Sequence, residues 1–340
     1  MSIIITERPG VFSHYELSSL SASVTRRAVG FAAVAAYGSE VTRCGSLAEV
    51  VATYGKEPGI GMAKLAERLF EEGVSAVICS PGGEGDYESA FAALETEEEI
   101  GAILCDSTAA ATHALMKASV HRASDEGFER IGVVGSASDE TAALIAAAEA
   151  LGSERMALAA PALDASSLYT AALLAAIVVR TPDPAALSGE GASRAFALTK
   201  RYTREEIDNL IRGGVSPFET AGGVPTLVRA ISTRTKTDGL ADASWRNLST
   251  ILIIDRVLSG LRTALRGRLK GGKNTERTRG AIKAQTAVLL EGYRTDGLID
   301  SYDTPLVTVS PDDPTVCRVE VGFSVAHGIN QIHILAHVTV

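Results

Sequence analysis

The sequence predicts a chain that is α/β in its first part and α+β after it, with extended strand arms at both ends. Three observations carry this. Short apolar runs alternate with helix-period segments between residues 28 and 160, the pattern of a mostly parallel sheet with helices on its faces. Beyond residue 200, long helices and strand runs replace that alternation. The two ends read as extended pieces without helical periodicity.

Ser2–Thr6 and Val11–Glu16, broken by Pro9-Gly10, form the first arm. Val29–Ala35 is a strand. The following helix is capped by Ser46, presents Leu47, Val50, Val51 and Tyr54 at helical spacing, and stops at Gly55. Met62–Glu72 is a second helix, with Leu65, Leu69 and Phe70 inward. Ala76–Cys79, Ile100–Cys105, Ile131–Gly135 and Met156–Ala160 are strands. Between and after them lie helices at Tyr87–Leu94, Thr108–Glu126 and Asp139–Leu151. Leu168–Val179 is apolar almost all round and therefore a buried helix. Thr203 and Glu206 form a capping box for a helix over Arg204–Arg212. Val215–Phe218 and Thr226–Thr233 are strands around a Gly222-Gly223 turn.

Ser244–Lys270 is the longest predicted helix, with Leu248, Ile251, Leu258, Leu261, Leu265 and Leu269 as its apolar stripe. A helix over 278–295 turns Ile282, Val288, Leu289 and Tyr293 inward. Leu306–Ser310, Val316–Val325 and Gln331–Val340 are strands. The last alternates, with Ile332, Ile334, Ala336, Val338 and Val340 on one face. The domain organisation follows: an arm over 1–20, an α/β domain over 21–200, an α+β domain over 201–325 and a strand arm over 326–340.

The 340 residues are 46% hydrophobic and 21% charged, so the chain is not disordered. The longest clean apolar run, Ala171–Val179, is far below the ~20 residues that span a bilayer, and no basic leader opens the chain. A mean hydropathy of +0.15 points to surface buried against other chains. Cys44, Cys79, Cys105 and Cys317 form no CxxC pair, and disulfides are not expected for a chain made in the cytoplasm. The histidines show no zinc spacing; His333 and His337, four apart in a strand, lie about 13 Å from each other.

Charge is unevenly spread. The net charge is −9, yet Arg256–Arg294 holds ten of the 32 basic residues and only Glu276 and Glu291 of the 41 acidic ones. That segment carries +8, leaving 22 basic against 39 acidic residues elsewhere, a net −17. Arg262, Arg266, Lys270 and Lys273, spaced by four, four and three, make a basic stripe separate from the apolar one. Acidic i±4 partners are nearly missing. A solvated face, nucleic acid and an acidic protein surface are the alternative readings; aromatics for stacking on bases are absent from the stripe.

Catalytic signatures are weak. The loop Ser80-Pro81-Gly82-Gly83-Glu84-Gly85-Asp86 follows a strand but lacks the phosphate-binding lysine and carries two carboxylates. Gly132-Val133-Val134-Gly135 with Ser136–Asp139 is not GxGxxG, and no GxSxG elbow occurs. Glu95–Glu99 reads as a solvated turn. An α/β enzyme binding a nucleotide or sugar phosphate at Gly82–Gly85 or Ser136–Asp139 is the alternative function.

The order of short motifs resembles the contractile tail sheath family of bacteriophages and phage-tail-like particles. Arg8-Pro9-Gly10-Val11-Phe12 is similar to the PGVY start of that family. Gly45-Ser46-Leu47-Ala48-Glu49-Val50 through Tyr54-Gly55 resembles its S-x-x-E-x-x-x-x-F-G helix. Leu69-Phe70-Glu71-Glu72-Gly73 through Ile78 resembles its helix-to-strand step, and Tyr87–Glu95 its AL-x-x-LE segment. Val215-Ser216-Pro217-Phe218 and Ala230–Thr235 resemble the G-V-N and GARTL steps. No large insertion follows the central sheet, and Pro182–Gly191 shows no PAPAG-like loop.

The resemblance implies a structural subunit, not an enzyme, with no cofactor and no metal. It implies rings of six stacked helically around an inner tube, extended and then contracting to drive the tube into a target cell envelope. Implied partners are copies of the chain itself, a tail tube protein, and baseplate and tail-terminator proteins, with no nucleic acid and no membrane anchor. Synthesis is expected in the bacterial cytoplasm, and assembly in a virion tail or phage-tail-like particle. By resemblance, Arg262, Arg266, Lys270 and Lys273 face the tube. The arms, with Ile3, Ile4, Ile5, Ile332, Ile334 and Val338, pair as strands with neighbouring subunits.

Overall fold

A computed structural model of the chain describes residues 28–83, 86–267 and 272–328. The first arm and residues 329–340 of the second, with Ile3, Ile4, Ile5, Ile332, Ile334 and Val338, as well as Leu269 and Lys270, lie outside the described residues.

The alternating runs fold as expected. The chain passes through β1 (Ala28–Ala33), β2 (Thr42–Cys44), α1 (Leu47–Tyr54), α2 (Met62–Glu71), β3 (Val77–Pro81), α3 (Tyr87–Leu94) and β4 (Ile100–Cys105). It continues through α4 (Ala110–Asp125), β5 (Ile131–Val134), α5 (Thr141–Leu151), β6 (Met156–Ala160), α6 (Ser167–Arg180), α7 (Arg204–Arg212), β7 (Val215–Ala221) and β8 (Val224–Leu227). Local chemistry sets the ends. Ser46 Oγ accepts the Glu49 amide at the start of α1, and Thr203 and Glu206 exchange both capping-box bonds on α7. Gly222 and Gly223 both take positive φ, 60° and 87°, as the tight turn between β7 and β8 requires.

These strands form one eight-stranded sheet in the order β2-β3-β1-β4-β5-β6-β7-β8. The central strands are parallel, and the two edge strands β2 and β8 are antiparallel to their neighbours. One face is covered by α1, α2 and α6, the other by α3, α4, α5 and α7. Strands buried on both faces must be apolar throughout, and β1, β4 and β6 are buried at every position. Helix α6 lies across β4, β5 and β6 with Ala171–Ile177 all buried, which explains its apolar circumference.

Strands β7 and β8 extend the central sheet past residue 200. The short run Thr226–Thr233 also forms a strand only to Leu227. Pro217 has no N–H for the ladder, and the Ser216 hydroxyl instead accepts from the Ile231 amide and donates to the Ile231 carbonyl. The chain therefore peels off the sheet edge.

The rest is α+β. A small hairpin, β9 (Lys236–Thr237) and β10 (Leu240–Ala241), precedes α8 (Leu248–Arg266) and α9 (Glu276–Thr295). Then come β11 (Ile299–Tyr302), β12 (Leu306–Val309), β13 (Cys317–Glu320) and β14 (Phe323–Val325), paired as β11–β14 and β12–β13. The expected single strand over Val316–Val325 is thus two strands that serve different sheets. Leu248 and Ile251 of α8 join the central core, whereas Ile253, Val257 and Leu261 pack against Leu290, Leu298 and Ile299. Leu258 and Leu265, expected inside, are only half-buried. On α9 the expectation for Val288 is reversed: it is 62% exposed, while Thr286 and Leu290 are buried. Buried Thr286 is satisfied by donating to the Ile282 carbonyl. Among the described residues no helix is long and apolar enough to cross a membrane.

Candidate interaction surface

The predicted basic surface sits on the C-terminal half of α8, on α9 and on the connection between them, which holds Lys273, because α8 ends at Arg266 and not at Lys270 as expected. Side chains of α8 first anchor the helix to the central domain. Arg155, just before β6, makes two 2.8 Å bonds to the two oxygens of Asp255. Arg256 reaches the Pro182 carbonyl at 2.5 Å. Arg262 forms an ion pair with the buried carboxylate of Glu129, which follows α4, and lies against the Gly127 carbonyl at 3.4 Å.

Arg262 therefore has an intramolecular acidic partner that no helix-spacing argument could reveal. Arg266 and Lys273 are exposed and make no ion pair among the described residues. Arg277 and Lys283 on α9 are likewise exposed and without an ion pair there. Arg279 donates to the Asn274 carbonyl and side chain, and Asn274 in turn donates to the Pro314 carbonyl at 2.8 Å. That ties the start of α9 to the β12–β13 turn. Exposed Val288 lies on the α9 face that also carries Arg277 and Ala284, at spacings of four and seven. The result is a cationic surface with an exposed apolar spot.

The two loops read as alternative catalytic sites are structural at their glycines. A methyl group on Gly135 would sit 2.5 Å from the Ser167 carbonyl oxygen, and one on Gly82 would sit 2.5 Å from the Ala90 Cβ. Both glycines allow a helix to close on a strand end. Asp139 accepts the Ala162 amide and the Thr199 hydroxyl. At the end of β4, burial raises the Asp106 carboxyl above its ordinary value. Its oxygens accept the Tyr87 hydroxyl at 2.6 Å and the Val34 amide at 2.8 Å, so it ties β1, α3 and β4 together. The cysteines are free, with Cys44, Cys79 and Cys105 buried. Among the described residues no group of His, Cys, Asp and Glu could hold a metal ion.

Two family models match the chain: the phage tail sheath protein central domain over residues 82–233 and the phage tail sheath C-terminal domain over residues 241–339. Together they span most of the sequence, and the chain belongs to the phage tail sheath family as a structural subunit. Its fold is also that of a chain in the anti-feeding prophage baseplate, with TM-score 0.73, 16% identity and coverage of 99% and 100% of the two chains. A chain of the contracted helical sheath of the anti-feeding prophage gives 0.72 and 17%, covering 98% and 99%. The sheath tail protein of Desulfitobacterium hafniense gives 0.65 and 12%, covering 93% and 100%. No curated protein sequence matches the chain.

Proposed function

We propose that this chain polymerises as stacked hexameric rings around an inner tube and contracts to drive that tube into a cell envelope. The observation that carries the reading is the likeness of almost the whole chain to a chain of a contracted helical sheath. A baseplate chain of similar fold supports attachment to a baseplate, and a tail terminator closes the other end. Synthesis is cytoplasmic, with no cofactor, no nucleic acid and no membrane anchor. The arms pair as strands between copies, and contraction is a switch between two lattices of inter-subunit contacts.

In this reading Arg266, Lys270 and Lys273 meet an acidic tube, while Arg262 shares its charge with Glu129. Exposed pairs contribute only about 0.2–1 kcal/mol each, but they repeat on every subunit and are screened by salt. Such contacts seat the sheath and still release on contraction. The test is electron microscopy of the chain co-expressed with its tube and baseplate. Wild-type protein should give extended sheathed tails. Replacing Arg266, Lys270 and Lys273 together by Glu should abolish them while leaving the melting temperature of the isolated subunit unchanged. Sheathed tails at wild-type yield from that variant overturn the assignment of the stripe. A discrete small oligomer from the wild type, with no cylinder, overturns the sheath reading itself.

A further inference from the structure

A cleft of about 930 Å³ opens beside the β7–β8 edge of the central sheet, bounded by α7, the β7–β8 hairpin and the segment leading into α8. Five arginines line it: Arg201, Arg204, Arg212, Arg229 and Arg246. Lys200 also faces it but is engaged by Glu140 and Glu206. The acidic side chains on its walls are Asp208 and Glu219. Among the described residues none of the five arginines forms an ion pair, in a chain where fourteen such pairs are formed elsewhere.

Arg229 and Arg246 are the telling pair. Each is half-buried with its Nε shielded from solvent and without a hydrogen-bond partner. Arg229 makes one bond, from Nη2 to the Asn247 side-chain oxygen at 2.9 Å. Burial first, and then the neighbouring Arg246 charge, hold the Arg229 guanidinium below its ordinary value. Two like charges held close together and partly desolvated, with donors unfilled, are a configuration that an oxyanion relieves.

Acidic side chains without an ion pair among the described residues gather at the opposite end of the same sheet. Glu97 and Glu98 precede β4, and Asp125 and Glu126 end α4 just before β5. All are exposed or half-exposed and none forms an ion pair among the described residues. This corner is at the amino ends of the parallel strands, whereas the cleft opens toward the carboxyl end of β7.

We propose that the cleft is a carboxylate socket for a second copy of this chain, filled by the acidic corner at Glu97, Glu98, Asp125 and Glu126. A contact between different surfaces at opposite ends of one sheet is heterologous and adds copies in one direction. The inference rests on the polymer reading above and adds a specific contact to it.

Two measurements test it on the full chain. First, hexaglutamate is titrated calorimetrically onto the soluble subunit at low salt. Saturable binding is expected, weakened by about tenfold or more in R229Q/R246Q and retained in R229K/R246K. Absence of binding, or equal binding by R229Q/R246Q, overturns the socket whether or not cylinders form. Second, polymerisation is imaged. R229Q/R246Q and E97Q/E98Q/D125N/E126N should each lose cylinders. R229K/R246K should keep them and should be joined by carbodiimide from position 229 or 246 to an acid of the opposite corner in another copy. Wild-type cylinder yield from R229Q/R246Q overturns the proposal and leaves the sheath reading intact. Tight binding of inorganic phosphate, with assembly untouched by either variant, makes the occupant a free anion and overturns the second copy. Melting temperatures equal to wild type establish that the variants fold; where R229Q/R246Q melts early, R229K/R246K and its cross-link map decide.

Discussion

Asp255 shows how a single side chain ties the two halves of this protein together. It is 2% exposed as a residue and meets both terminal nitrogens of Arg155 across 100 residues of sequence. D255N would leave the largely buried Arg155 guanidinium without its ion-paired carboxylate, at a loss of about 3 kcal/mol. The check is a clear fall in melting temperature, with D255E recovering part of it. Asp242 gives a pH counterpart. The Ser244 backbone amide first, then the Thr237 hydroxyl, hold its carboxyl down to about 2 from 3.8. A depressed folded-state pKa contributes stability that is present above the unfolded value. That contribution is therefore lost as pH falls from about 4 through about 2, and a carboxyl-carbon NMR titration should place the Asp242 midpoint near 2. At this scale the sequence was legible where partners are local. The Thr203–Glu206 capping box spans three residues and was read directly. The Arg155–Asp255 and Arg262–Glu129 pairs join residues 100 and 133 apart, and no spacing rule reaches that far.

Helices and strands depend on which neighbour covers each face. Gly135 ends β5 where the N-terminus of α6 crosses it, and an added methyl meets the Ser167 backbone, which cannot swing aside. G135A should therefore destabilise by about 1–3 kcal/mol through overpacking, read as a lower urea midpoint. Ser136→Ala, one residue on, should leave that midpoint nearly unchanged. A phosphate-binding role for the loop would instead leave stability intact in G135A and remove ligand. The apolar stripe of α8 illustrates the limit of periodicity. One helix serves two cores, with Leu248 and Ile251 in the first and Ile253, Val257 and Leu261 in the second. Its buried face follows two partners, so the single stripe through Leu258 and Leu265 is only half-buried. Val288 of α9 points outward for a related reason. Thr286 and Leu290 take the inward face, and a threonine can do so because it bonds its own helix.

At the scale of the whole molecule, assembly is proposed to run through the strand arms, whose residues 1–20 and 329–340 lie outside the described residues. Deleting residues 331–340 should leave a monomer with the melting temperature of the full chain, because a strand that pairs between copies adds nothing to the subunit's own core. It should prevent cylinders if that alternating strand pairs between copies. Sedimentation velocity and negative-stain microscopy distinguish the outcomes, and normal cylinders from the truncated chain would remove the strand from the assembly contacts.

Sequence by itself determined the strand–helix alternation, the buried helix over α6, the caps, the charge asymmetry and the family. All of these are written in local order, in periods of two and 3.6 and in composition. Tertiary structure decided how far the central sheet runs, which edge β7 and β8 close, and which cations are already paired. It also brought five arginines from three separate segments into one cleft. The physical reason is that sheet order and ion pairing are set by residues distant along the chain, whose meeting depends on how whole layers pack and not on any spacing within them.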